Sequence, residues 1–409
     1  MSPGPHNPRK PPRPPLPIQA PKPEAVAAAL FAPPCAAFRQ SLETLVAAVP
    51  KVLGLRAKHR QELPYAVRDL SRLLTSERSD LQHDYLQSPR SVAAYLSYFL
   101  PWNVLRLVRL LAGISDAWPA FGAQATLVDL GAGPLTLPLA LWIARPDLRT
   151  VPLDILCIDR TKKPMTLGRE LFQRLAASHG HERPVWRIEC LHRPLDMGLD
   201  AIRGRVEAIS LANVLNELRW AREIPLDEQV AELAARLFDK LAPSGRLLSV
   251  EPGTRWGGKL VELVRKAGLE NPSAPRYALT PCTHDADCPL LEEKRRRSWC
   301  HFIAETISAP PALEKLAAEA KLEKDSLSVS FVALAAVKPV RQCAARVVSG
   351  PIRIPGQSGA ARYGCSEHGL LLLVGDGGRG LRSGDVIGYA LPDKPKSDSK
   401  SGALIVELN

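Results

Sequence analysis

The stretch Leu127-Val128-Asp129-Leu130-Gly131-Ala132-Gly133-Pro134-Leu135-Thr136 constrains this chain more than any other. Thr126 to Leu130 reads as a buried strand, Gly131 to Gly133 as a turn, and Leu137 to Ile143 as a helix. Glycine lacks a Cβ, so the backbone turns sharply there and a ligand approaches it closely. The amides that open the following helix point at whatever fills the turn. A strand, a glycine turn and a helix in that order begin a doubly wound nucleotide-binding sheet, with its ligand at the carboxyl ends of the strands.

The pattern after this stretch repeats the alternation. Strands are expected at Leu153–Asp159, Val185–Leu191, Glu207–Asn213, Gly245–Glu251 and Val329–Val337, and helices at Lys162–Ser178, Leu226–Leu241 and Leu260–Lys266. Strands separated by helices give a parallel sheet. Ahead of it, residues 25–118 carry apolar side chains at three- and four-residue spacing, as helices do. The expected helices are Glu24–Phe31, Phe38–Val49, Leu53–Glu62, Tyr65–Thr75, Ser91–Phe99 and Trp102–Leu111, with Pro89 and Pro101 as boundaries. The tyrosines of this region read as core packing. Residues 1–24, rich in Pro, Arg and Lys, cannot bury a core and are expected as a disordered tail. The expected organisation is therefore a tail (1–24), a helical region (25–118), an α/β Rossmann-like domain (119–338), a small β-rich domain of the OB type (339–392) and a tail (393–409) in which residues 403–408 form a last edge strand. Short strand-like runs between Gly-rich turns carry the OB expectation.

Charge narrows the partners. The formal net charge is +12, which favours polyanions, nucleic acid above all. No apolar run approaches the ~18 to 20 residues of a membrane span. The N-terminus has no apolar signal core, so a cytoplasmic protein is expected. Eight cysteines in such a chain point to metal or redox chemistry rather than a disulfide framework.

Asp159 ends the second strand 26 residues after Gly133 and can reach the ribose hydroxyls of a nucleoside. A nicotinamide cofactor shares that logic. The fuller set favours S-adenosylmethionine: Asp129 sits two residues before the first glycine, where it can face the cofactor's amino group, and the third glycine of the dinucleotide fingerprint is missing. The candidate cofactor-binding residues are Asp129, Gly131, Gly133, Asp159, Asp196 and Asn213.

The other strong feature is Pro281-Cys282-Thr283-His284-Asp285-Ala286-Asp287-Cys288-Pro289-Leu290, followed by Trp299-Cys300-His301-Phe302. Thiolates in a polar loop of this kind suit an iron–sulfur cluster or zinc. A four-ligand site needs one more group, and Cys365, Cys343, His284 and His301 are candidates. Spacing does not choose among them, nor between iron and zinc. Cys157 and Cys190 lie in apolar strands and read as small core residues. The run Glu292–Arg297 offers four cations for phosphate contacts or a solvated loop.

Taken together, these motifs resemble the methyltransferase-like assembly factors of the small ribosomal subunit, found in mitochondria and bacteria. The resemblance spans residues 65–375. It rests on Tyr95 to Pro101, Asp129 to Gly133, Ala212-Asn213-Val214-Leu215-Asn216-Glu217-Leu218, Val250 to Thr254 and the cysteine loop. It implies a Rossmann-like S-adenosylmethionine domain, a four-cysteine [4Fe-4S] site and binding to rRNA of the small subunit, by a chain that is monomeric when free. Carried over residue by residue, Cys282, Cys288 and Cys300 match three cluster ligands and Cys365 the fourth; Cys343 comes too early. Amino-group methyltransferases place prolines and an aromatic residue after the fourth strand. Here that turn is Asn213-Val214-Leu215-Asn216-Glu217, which leaves Asn213, Asn216 and Glu217 as candidate catalytic groups. The expectation is cofactor binding with low or no turnover. An active rRNA methyltransferase and a zinc-bearing nucleic-acid-binding protein without methyl transfer are the alternatives.

Overall fold

The glycine stretch sits at the centre of the larger of two sheets. In a computed structural model, residues 30–75, 86, 88–119, 121–122, 125–272, 274–291, 298–341, 343–354, 360–378 and 380–408 are described. The N-terminal 24 residues and the basic run Glu292–Arg297 lie outside them. The strands β1 (Ala125–Leu130), β2 (Leu153–Asp159), β3 (Trp186–His192), β4 (Val206–Ala212), β5 (Leu241–Pro252), β6 (Tyr277–Thr280), β7 (Phe302–Glu305) and β8 (Ser326–Ala335) form one eight-stranded sheet. Its order is β3-β2-β1-β4-β5-β8-β6, with β7 also paired to β8. The first five strands are parallel, whereas β8 runs antiparallel to β5, β6 and β7. β1 lies between β2 and β4, so the strand order reverses there, and that switch point is where such sheets bind ligands. This is a Rossmann-like sheet with an antiparallel extension.

Alternation along the strands builds two cores. Ala125 and Leu127 face one side with α5 (Thr136–Ala144), α6 (Lys162–Ser178) and the N-terminal helices. Val128 and Leu130 face the other, with α8 (Leu226–Lys240) and α9 (Arg255–Leu269); α7 (Leu195–Ala201) contributes Leu199 to that side. Among the strands, Cys157 is fully buried and is the register partner of half-buried Cys190.

The N-terminal region is helical, but its boundaries differ from the sequence pattern. After α1 (Ala36–Val52), α2 (Ala57–Thr75) runs through Pro64 instead of breaking there. Its Ala66, Val67 and Leu70 are buried, and packing of that face outweighs the lost backbone bond. Likewise α3 (Pro89–Ala94), a π-turn (Tyr95–Phe99) and α4 (Leu100–Gly113) follow one another without a gap. The wider π-turn ends two residues before Pro101, which has no N–H to donate. α10 (Pro311–Ala320) packs back against α2.

The C-terminal sheet comprises β9 (Ala344–Arg353), β10 (Ala360–Ser366), β11 (Gly369–Val374), β12 (Val386–Gly388) and β13 (Leu404–Glu407) in the order β12-β9-β10-β11-β13. Three hairpin-connected strands with the fourth returning beside the first make a Greek key. β13 lies parallel to β11 at the edge. One face of this sheet closes on its own core (Ala345, Val347, Leu371, Leu373, Val406), and the other joins the larger core through Val348, Leu370 and Leu372.

A close approach fixes the glycine turn against α6. A Cβ at Gly168 would stand 2.3 Å from the carbonyl oxygen of Pro134, a backbone atom that cannot move aside cheaply. Gly168→Ala is expected to destabilise the chain by about 1–3 kcal/mol, as overpacking does, measured as a lower urea midpoint. An unchanged midpoint would mean that α6 does not brace the turn.

Candidate functional site

Two sites emerge, one at the switch point and one where the two sheets meet. The first is a cavity of about 220 Å³ at the carboxyl ends of β1, β2 and β4. Gly131 and Gly133 hold φ of +71° and +50°, a region that favours glycine. Gly131 also lies so close to Val214 that a Cβ would stand 2.4 Å from its Cγ2. The amides of Gly131 and Ala132 both donate to the carbonyl of Ile158, at 2.8 and 3.1 Å, which ties the turn to the end of β2.

Gly131, Gly133, Asp159, Asp196, Asn213 and Glu217 all line this cavity. The Asp159 carboxylate accepts hydrogen bonds from the amides of Gly133 (2.9 Å) and Thr161 (2.7 Å). It is thus both a strand-end cap and part of the cavity wall. Asp196 pairs with Arg236 at 3.0 Å and is largely exposed. Asn213 adopts a φ of +61°, and its buried Oδ1 has no hydrogen-bond partner among the described residues. Asp129 stands behind the turn rather than in the cavity wall: it is fully buried and accepts from Ser210 Oγ at 2.7 Å, and burial raises its pKa to about 7.

Asn216 is turned away from the cavity. Its side-chain amide and its backbone N–H donate to Glu251 at the end of β5, and the Leu215 amide donates to the same carboxyl at 2.8 Å. Glu251 is therefore the residue that shapes the turn after β4, a role the sequence pattern did not assign. A charged residue at a core-facing strand position was the available signal. The other addition is Tyr95. The π-turn carries its side chain to the cavity wall, while Tyr98, three residues on, is buried in the core. Burial raises the Tyr95 pKa, and the nearby carboxylates Glu217 and Asp159 raise it further.

The second site gathers cysteines from two distant stretches. Cys282 and Cys288 lie in the loop after β6, Cys300 lies just before β7, and Cys365 lies in β10 of the small sheet. Burial pushes the Cys300 thiol well above its ordinary pKa, and Glu262, Cys282, Cys288 and Cys365 each push it further. Cys288 is raised by burial, Glu262, Cys365 and Cys282 in the same way. None of the eight cysteines is in a disulfide.

Charged side chains inside the core hold this centre. Glu262 and Arg265, both buried on α9, reach it directly: Glu262 accepts from the Cys300 amide at 2.9 Å, and Arg265 donates to the carbonyls of His284 and Ala286. Burial pulls the Arg265 pKa down, but the surrounding thiols of Cys282, Cys288 and Cys365 leave it raised. Arg346 donates to the Pro281 carbonyl at 2.7 Å, and Arg341 to the Cys282 carbonyl at 2.7 Å. Of the other fourth-ligand candidates, His284 stands at the centre with Nε2 3.3 Å from Cys365 Sγ. The His301 ring stacks on Trp299 and its Nδ1 lies 3.1 Å from the Trp299 carbonyl. Cys343 stands with Glu367 and His368 instead. Glu262 and Arg265 were missed by spacing arguments; two charges on the apolar face of a helix were the visible sign.

The buried acids give the fold a pH signature. Burial holds Glu251 at about 8 against an ordinary 4.5. The folded chain keeps a proton there that the unfolded chain releases, so this group stabilises fully below pH 4.5, and the contribution is lost as pH rises to about 8. The urea midpoint is expected to fall across that window, and Glu251→Gln to flatten the fall. An equal slope in the variant would contradict the burial of a protonated Glu251.

With the geometry in place, comparison with known proteins adds the family. No curated protein matches the chain. Among solved structures, the chain is similar to a methyltransferase from Pyrococcus furiosus (13% identity, 44% of this chain and 78% of that one, TM-score 0.29). It is also similar to a precorrin-6y C5,15-methyltransferase from Geobacter metallireducens (10% identity, 62% and 91%, TM-score 0.30). A third likeness is to the spermidine synthase of Thermotoga maritima (10% identity, 55% and 58%, TM-score 0.30). No helix among the described residues is long and apolar enough to cross a membrane. Residues 89–368, which take in both sites, match the family described as mitochondrial small ribosomal subunit Rsm22, and the chain belongs to that family.

Proposed function

We propose that this chain is an assembly factor of the small ribosomal subunit. In this reading it binds rRNA, keeps S-adenosylmethionine at the switch point and carries a [4Fe-4S] cluster on Cys282, Cys288, Cys300 and Cys365. The observation that carries the reading is the meeting of four thiols from two distant stretches beside Arg265 and Arg346. A family rooted in the small subunit and a net charge of +12 support an RNA partner. The chain acts in the cytoplasm, on the ribosome, and is monomeric when free.

The donor set fits the cluster. Four thiols supply soft ligands, and two guanidinium groups offset the negative charge that deprotonated thiols bring. Orphaned buried nitrogens, His284 Nδ1, Arg265 Nε and Arg341 Nε, mark the same region as one with unspent hydrogen-bonding capacity. The bound group would supply a rigid cross-link; this chain's own residues fix the loop and β10 around it.

The nucleoside pocket fits S-adenosylmethionine on its own donors. Asp159 presents a carboxylate at the end of β2 to ribose hydroxyls, and Asn213 Oδ1 offers an unpartnered acceptor. The cofactor supplies an electrophilic methyl group. Transfer needs a target held in near-attack geometry, and the turn after β4 spends Asn216 on Glu251. That favours binding without efficient turnover. Asn213, a cavity-lining residue whose Oδ1 has no partner among the described residues, carries the alternative of an active rRNA methyltransferase.

Four measurements test this reading. Chain purified without oxygen is expected to be brown, with four iron and four sulfide per chain, and Cys288→Ser to lose the visible absorbance and co-sediment less with small subunits. Colourless protein with one zinc would overturn the cluster, and undiminished co-sedimentation of the variant would separate it from RNA binding. Asp159→Ala is expected to weaken S-adenosylmethionine by about tenfold or more, the loss of a charged hydrogen bond, by calorimetry. A labelled methyl group appearing on a single rRNA base would overturn low turnover.

A further inference from the structure

The small sheet carries a second group of metal-binding side chains on its other face. Cys343 is the residue before β9, Glu367 and His368 are the two turn residues between β10 and β11, and Tyr389 follows β12. Each of the first three offers one ligand atom, and these atoms lie within 4.8 Å of one another. The pairing register explains why residues so far apart in sequence meet. β9 pairs antiparallel with both β10 and β12, and Cys343 extends it by one position toward the β10–β11 turn on one side and toward Tyr389 on the other.

This group is distinct from the four-cysteine centre. Along β9, Arg346 reaches the cysteine loop, whereas Ala345 and Val347 enter the small domain's own core, and Cys343 shares their parity. The turn is pre-formed: Ser366 Oγ donates to the Gly369 carbonyl at 3.0 Å and accepts from the His368 amide at 3.3 Å. The imidazole is held from one side, since the Tyr389 hydroxyl lies 2.6 Å from His368 Nδ1, with the two rings edge to face. A hydrogen bond to the ring nitrogen that does not bind metal fixes the orientation of a metal-binding imidazole, and the Tyr389 hydroxyl is placed to make one.

We infer that Cys343, Glu367 and His368 form a mononuclear site for a zinc-type divalent cation, oriented by Tyr389. Thiolate, imidazole and carboxylate together match zinc rather than calcium or magnesium, which take oxygen donors. All three side chains are exposed, so an ion can enter without unfolding the domain, and three protein donors leave one tetrahedral position to water. The bound ion ties the start of β9 to the β10–β11 turn, three residues from Cys365.

Cobalt(II), a visible surrogate for zinc, tests the site on the full-length chain under anaerobic conditions. Wild type is expected to take up one equivalent that His368→Ala and Cys343→Ser each lose and Cys288→Ser keeps. Tyr389→Phe is expected to keep the stoichiometry but bind about 10- to 100-fold more weakly, as loss of an outer-shell partner does. Because the three donors are exposed, His368→Ala should melt at the wild-type temperature without metal. Equal uptake by wild type, His368→Ala and Cys343→Ser would overturn the proposal. So would loss of the equivalent in Cys288→Ser, which would assign it to the four-cysteine centre.

Discussion

Burial of thiols beside guanidinium groups is the interaction on which this structure turns. A buried donor set with nothing to bind is unfavourable, because burial penalises the charged form of each cysteine and leaves polar atoms unsatisfied. The chain nonetheless spends Arg265 and Glu262, two charges inside an apolar helix face, on holding the cysteine loop. It spends Arg346 on joining that loop to the small sheet. Such an arrangement makes physical sense where the protons on sulfur are replaced by a cation, which reverses the local penalty.

The same segment that holds the thiols also shapes the switch-point cavity. β5 carries Glu251 one residue before its end, where it collects three donors from the turn after β4. Two residues later the Gly253 carbonyl accepts from Trp299, next to Cys300, at 3.0 Å. α9 then begins and carries Glu262 and Arg265 to the cysteine loop. One strand-to-helix junction thus borders both sites. The N-terminal helices complete the pocket from above, where the π-turn before Pro101 sets Tyr95 against the cavity.

Much of this was legible before any coordinates. The strand–glycine turn–helix stretch and the spacing to Asp159 pointed to the cavity at the switch point, which Gly131, Gly133 and Asp159 line, because glycine's backbone freedom and strand-end position are local properties. The alternation of strands and helices gave the parallel part of the sheet. What stayed hidden depends on contacts distant in sequence. Asp129 reads as a cofactor-facing acid from its place in the motif, yet strand parity turns it toward Ser210 on β4. Tyr95 reads as packing until the π-turn rotates it. Pro64 reads as a helix end until the packing of Ala66, Val67 and Leu70 is counted. The meeting of Cys365 with the loop needed either a family resemblance or a fold, since no local rule links residues 65 positions apart.

The most direct test is anomalous X-ray diffraction at the iron absorption edge, from crystals of the chain grown without oxygen. A single strong iron peak enclosed by the sulfurs of Cys282, Cys288, Cys300 and Cys365 is the expected result. No iron peak there, with the four sulfurs left apart or joined to other partners, would contradict it.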